Sequence, residues 1–249
     1  MAALATRNLL LALCAAAALG VAANPASAQR MRTSVSPERP FGLSPEALHP
    51  IASDLGMPID AGAVNILAVA GLTAGGLGST ILGMRAGLTD NVTLELAAPY
   101  LTPGGPGFFS GIAASGQIGL WQSANRDLGL SISAGAEVPG GAGGFNLTAL
   151  QPILGLRGQA GIGPLQTHAN FFARPVAGTV NWQLAGMWHV TDMGAPGLEF
   201  QGVAGAATTV SIIPEIKLRP IRNLALGVGY QIPLTGAQGQ VLAQAELLF

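Results

Sequence analysis

Residues 220–249 read PIRNLALGVGYQIPLTGAQGQVLAQAELLF. Leu224, Leu226, Val228, Tyr230 and Ile232 alternate with Ala225, Gly227, Gly229 and Gln231. A break rich in turn residues follows at 233–239. Val241, Ala243, Ala245, Leu247 and Phe249 then alternate with Leu242, Gln244, Glu246 and Leu248. Two period-2 runs joined by Gly and Pro predict an antiparallel hairpin. Its second strand ends on an aromatic residue of the apolar face. In a soluble sheet such a strand is usually an edge, with unpaired backbone groups. A barrel closed within a membrane has no edge, and its exterior must be apolar. The expectation is an all-β fold: an antiparallel up-and-down transmembrane β-barrel that this hairpin closes.

Composition agrees. Charged residues make up 9% of the sequence, against roughly 25% in soluble domains, and the mean hydropathy is +0.48. Beyond the first thirty residues no run of eighteen uncharged apolar residues occurs, so helical spans are not expected. An apolar chain without long apolar runs spreads its hydrophobicity by alternation, as barrel strands do.

Residues 1–28 read as a cleaved secretory signal peptide. Arg7 is the basic start, 9–23 the apolar run, and Ala26-Ser27-Ala28 the small-residue cleavage site. Cys14, the one cysteine, leaves with it, and the mature chain has no disulfide or thiolate chemistry. Without Arg7, ten basic residues face twelve acidic ones, a net charge of −2. That argues against nucleic acid as a partner. Residues 29–60 form an N-terminal arm, set apart by seven charges and five prolines. The arm is either a disordered periplasmic segment or a plug that folds into the barrel.

Strand-like alternation begins at residue 61, and the barrel is read over 61–249. The predicted strands are 61–72, 79–88, 91–102, 111–122, 128–138, 146–157, 165–174, 178–191, 198–206, 208–218 and the two of the closing hairpin, about twelve in all. Alternate connections are compact: TDN, SANRD, GIGP, DMGAPG and PIRN. The others include glycine-rich loops at 73–78, 103–109, 139–145 and 233–239. Short periplasmic turns and longer outer loops are the pattern of outer-membrane barrels, whose termini face the periplasm. Pro152 and Pro214 fall inside predicted strands, where either bulges or shifted strand boundaries are expected. Tyr100, Trp121, Trp182, Trp188, Tyr230 and Phe249 are candidates for aromatic girdles.

The inward positions carry the polar residues. Arg85, Glu95, Glu137, Arg157, Gln166, His168, Asn170, Arg174, Asn181, Gln183, His189, Glu199, Gln201, Glu215, Lys217, Gln231 and Glu246 are expected to line the lumen. Opposite charges there satisfy one another, since an unpaired buried charge is costly. Collectively they make a polar path that selects solutes by field and size. His168 and His189 have no third ligand nearby in the sequence, so no metal and no cofactor are expected. Twelve-stranded outer-membrane phospholipases place a Ser and a His close in sequence, with an Asn to orient the His. Neither histidine here has such a serine, and G-x-S-x-G is absent, so no catalytic residues are assigned.

Two stretches carry a resemblance. RAGLTDNVTLEL at 85–96, ending in Pro99 and Tyr100, resembles a hairpin of a bacterial outer-membrane transporter family. That family is similar to proteins of the meta-cleavage pathway of phenol degradation. Residues 220–224, with Gly227, Gly229, Tyr230, Gln231, Pro233–Gly236 and Phe249, resemble its closing hairpin. The resemblance implies an outer-membrane barrel that passes small molecules, as a channel or passive transporter. It also implies that Phe249 is part of the signal read by the barrel-assembly machinery. Partners are then outer-membrane lipid, that machinery and a small solute. The alternatives are a structural or surface-interaction barrel without an open pore and a lipid-modifying enzyme.

Overall fold

The computed structural model describes residues 57–101, 108–123, 127–191, 193–235 and 238–249. The leader read at 1–28, the arm as far as residue 56 and most of the 103–109 loop lie outside the described residues. Twelve long strands follow in chain order: β1 Val64–Thr73, β2 Gly76–Thr89, β3 Val92–Leu101, β4 Gly111–Gln122, β5 Leu128–Gly141 and β6 Gln151–Ile162, then β7 Leu165–Arg174, β8 Thr179–Trp188, β9 Gly194–Ala204, β10 Thr209–Ile221, β11 Leu224–Pro233 and β12 Gln240–Leu248. Each pairs antiparallel with the next, and β12 returns to β1 in a ladder from Asn65–Leu248 to Leu72–Val241. Beyond it the Phe249 N–H donates to Val64 O at 2.8 Å, and the Val64 N–H donates to Phe249 O at 3.0 Å. The sheet closes on itself, so its backbone groups pair without an edge. The rim that holds Val64 and Phe249 is called here the terminal rim, and the opposite one the far rim.

The alternation sets the two faces. Outward residues stay exposed although apolar: Leu94, Leu96, Ile118, Ile132, Leu156 and Val228 are each more than 40% exposed. Trp121 and Trp188 stand outward at the terminal rim; Tyr230 and the edge-to-face pair Tyr100–Phe109 stand at the far rim. An apolar band flanked by aromatics is the exterior that a barrel presents to lipid. Inward residues are mostly polar or small; Ile81, Ile153, Phe172 and Met187 also face in, and Val69, Ile213 and Leu242 form an apolar cluster against Leu67 on one inner wall.

Several predicted boundaries move. The loop expected at 73–78 is a tight turn at Ala74–Gly75, and β2 begins at Gly76, whose φ of 109° only glycine adopts readily. The 139–145 loop is likewise a narrow ribbon: Gly140 pairs with Phe145, and Gly141 with Gly144. The strand predicted from 146 starts only at Gln151. The Asn146 side chain accepts from the Thr148 N–H at 3.2 Å and its hydroxyl at 2.7 Å, holding a 3-10 turn over Leu147–Ala149. That strand runs on to Ile162 and turns tightly through Gly163, at φ 58°. The strand predicted from 198 starts at Gly194.

The bulges expected at the two prolines are absent. Pro152 pairs with Ala136, and the ladder on its other side begins only at Leu154, so its missing N–H breaks no rung. The ladder between β10 and β11 keeps one register but omits Ile213 and Pro214; the missing donor leaves a gap, not a shift. Register shifts fall instead at Gly71/Leu72, Gly87/Thr89, Gly119/Trp121 and Leu218/Ile221, all close to strand ends.

Candidate functional site

Among the described residues, the inner wall carries most of the ionisable side chains. Arg85, Arg157, His168, Asn170, His189, Glu199, Glu215, Lys217 and Glu246 lie on inward positions and are buried. Glu95, Glu137, Arg174 and Gln183 share that face and are partly buried. Side chains on strands that are not neighbours reach each other across the lumen. The Arg157 guanidinium on β6 grips the Glu95 carboxylate on β3 with two parallel hydrogen bonds, Nη1 to Oε1 at 2.6 Å and Nη2 to Oε2. Arg85 Nε adds a contact to Oε1 at 3.2 Å, and the Ser115 hydroxyl donates to Oε2 at 3.2 Å. The Arg157 guanidinium also lies 5.0 Å from the centroid of the Phe172 ring. Such forked, charge-assisted bonds are the strong ones, and stacking on an aromatic face suits arginine. Nearer the far rim, Arg174 Nε on β7 donates to Glu137 Oε2 on β5 at 3.1 Å.

The other half of the wall is acidic. Lys217 on β10 is fully buried and interacts electrostatically with Glu199, Glu215 and Glu246. Asn65 donates its side-chain amide to Glu246. Lys217 reaches Glu246 past β11, where the inward residue is Gly227. A Cβ there would stand 3.0 Å from Lys217 Cε. Inward glycine thus provides the floor on which a long side chain lies.

His168 and His189 do not form a site together. His189, one residue beyond β8, shares a hydrogen bond with Gln166 Oε1 at 3.1 Å, while His168 faces Ala185 and Gln159 in the ladders. Burial first, and the Arg219 charge second, lower the His189 pKa below its ordinary value. Among the described residues no group of three His, Cys, Asp or Glu side chains is placed to hold a metal.

The terminal mouth is narrowed from within. Met57 and Ile59, at the described end of the arm, are 4% and 2% exposed. The Ile59 N–H donates to the inward Thr93 hydroxyl at 2.9 Å. Gly87, Gly119 and Gly129 face this segment, and a Cβ on Gly87 would collide with the Asp60 carbonyl. Toward the far rim, between the Arg85–Glu95–Arg157 cluster and the loops, lies a cavity of about 300 Å³.

Several lumen residues were not among the sequence candidates. Asn65, Thr93, Gln117, Ser131, Gln159 and Gln244 are buried and inward, and Gln117 donates to the Ser131 hydroxyl at 2.7 Å. Strand parity marks them as it marked the charged residues. Phe172 carries no such signal, because an inward aromatic looks like a break in the pattern.

The fold and inner wall together define a class, the closed up-and-down barrel with an apolar exterior and a polar lumen. Solved structures of that class are similar. The KdgM porin in complex with disordered oligogalacturonate matches over 75% of this chain and 98% of its own, with a TM-score of 0.54 and 9% identity. An outer-membrane channel from Pseudomonas putida F1 matches over 81% and 100%, with a TM-score of 0.55 and 11% identity. The NanC porin matches over 74% and 98%, with a TM-score of 0.55 and 5% identity. At these identities the likeness is one of fold. No protein-family model and no curated protein matches the chain.

Proposed function

We propose that this chain is an outer-membrane channel that passes small molecules. One observation carries the reading: a wall apolar toward lipid encloses polar side chains that pair with one another across the lumen. The candidate lumen residues then line the solute's path. The terminal rim faces the periplasm, and residues 1–28 are removed on export. The C-terminal strand with Phe249 is what the barrel-assembly machinery reads. Kinship with transporters similar to phenol-pathway proteins rests on residues 85–100 and 220–249 alone. Planar-bilayer recording of the purified barrel tests the channel: discrete conductance steps are expected, and no current at any salt concentration would end the proposal.

A specific observation favours a second reading, a barrel without an open pore. Gln117, Arg157, Asn170, Glu199, Lys217 and Glu246, in the middle of the lumen, are each 2% exposed or less. Under that reading the same recording stays silent. No enzymatic role is assigned to His168 or His189; phospholipid hydrolysis that disappears in His168→Ala or His189→Ala would reverse this.

A further inference from the structure

The far-rim cavity is lined by two unlike kinds of side chain. Arg85, Arg157 and Arg174 stand there with Glu95 and Glu137. Leu67, Ile81, Pro99 and Ile153 supply hydrocarbon, the last three on the same strands as Arg85, Glu95 and Arg157. Ile81 faces inward yet is 42% exposed, so part of this apolar surface is open to the cavity. Arg174 gives its Nε to Glu137, while its side chain stays 27% exposed beside the cavity. We propose that this vestibule is a binding subsite for a small monoanion with an apolar body, such as a short-chain carboxylate.

A guanidinium accepts a carboxylate edge-on through paired N–H donors, and Arg174 sits where an entering solute meets it first. The hydrocarbon side chains lower the local dielectric, which strengthens that attraction, and bury the solute's apolar part. A cavity of about 300 Å³ lies at the lower end of the range for small-molecule sites. Binding itself does not need a conducting pore; a role for the subsite in uptake rests on the channel reading.

The test is calorimetric titration of the folded barrel in detergent with hexanoate, hexanamide and acetate. Hexanoate has both charge and body, hexanamide the body alone, acetate the charge alone. Saturable hexanoate binding is expected, with the other two weaker by about tenfold or more. Arg174→Gln should weaken hexanoate by about tenfold. Ile81→Asn leaves every charge in place and should weaken hexanoate but not acetate. Equal binding of hexanamide and hexanoate, or hexanoate binding unchanged in both variants, overturns the proposal. A barrel that binds hexanoate but passes no current loses the channel reading alone. One that conducts without saturable hexanoate binding loses the subsite alone.

Discussion

Arg157 and Glu95 stand on strands separated by two others, yet their side chains meet through two parallel hydrogen bonds. Arg157 is 2% exposed, so little water reaches it to take the lost partner's place. Glu95→Gln leaves the guanidiniums of Arg157 and Arg85 without their shared carboxylate. The expected cost is about 3 kcal/mol, the scale for breaking a buried pair from one side. Urea unfolding of the barrel in lipid vesicles measures it; a loss below about 1 kcal/mol would mean the charges find other partners.

The seat of the Met57–Asp60 segment gives a second expectation. A Cβ on Gly87 meets the Asp60 carbonyl, which belongs to backbone and cannot rotate away. Gly87→Ala should destabilise the barrel by about 2 kcal/mol, as overpacking does. Gly83→Ala, on the same strand and face, finds its nearest neighbour at 3.6 Å. It should change stability by no more than about 0.5 kcal/mol. Equal effects of the two, read from thermal unfolding, would remove the segment from the mouth.

Closure depends on the last residue's backbone more than on its ring. Phe249→Ala keeps both hydrogen bonds with Val64, whereas deletion of Phe249 removes them, at about 1 kcal/mol each. The unboiled protein on a detergent gel should show a smaller folded fraction for the deletion than for the alanine variant. The opposite order would place the closing energy in the aromatic contact.

His189 supplies a pH dependence of definite sign. Its folded pKa lies below the ordinary histidine value, so the folded barrel holds the ring neutral while the unfolded chain takes up the proton first. Its contribution is therefore intact above the unfolded pKa, near 6.5. It is lost as pH falls from there through the lower folded value. His189→Gln should flatten the fall in melting temperature between about pH 7 and pH 5. An unchanged slope would assign the pH dependence to other groups.

The barrel was legible in the sequence because strand periodicity is a local signal. Leu224 to Ile232 and Val241 to Phe249 announce their outward face without help from the rest of the chain. Parity also placed Arg85, Glu95 and Lys217 on the inward face. What parity cannot carry is which of them meet. Arg157 reaches Glu95 over two intervening strands where Ser115, Gly135 and Ser131 are small, a property of register and tilt. The turn at 73–78 was read as a long loop because glycine marks both tight turns and open loops. The late start of β6 follows from a side-chain hydrogen bond at Asn146 that competes with strand pairing. The prolines were misjudged because their cost depends on which neighbour the missing N–H would face, and only the ladders tell that.

Gly227 has a consequence for how this wall can change. The circumference of a hoop of fixed strand number and stagger is set, so its bore is then altered only from inside. A side chain at position 227 would crowd Lys217 Cε at 3.0 Å and Gln244 Oε1 at 3.1 Å. It would lift the ammonium off the wall and toward the barrel axis. One substitution at a residue without charge would then move a cation from the lining to the axis. Where charge stands in this barrel is governed as much by its empty positions as by its charged ones.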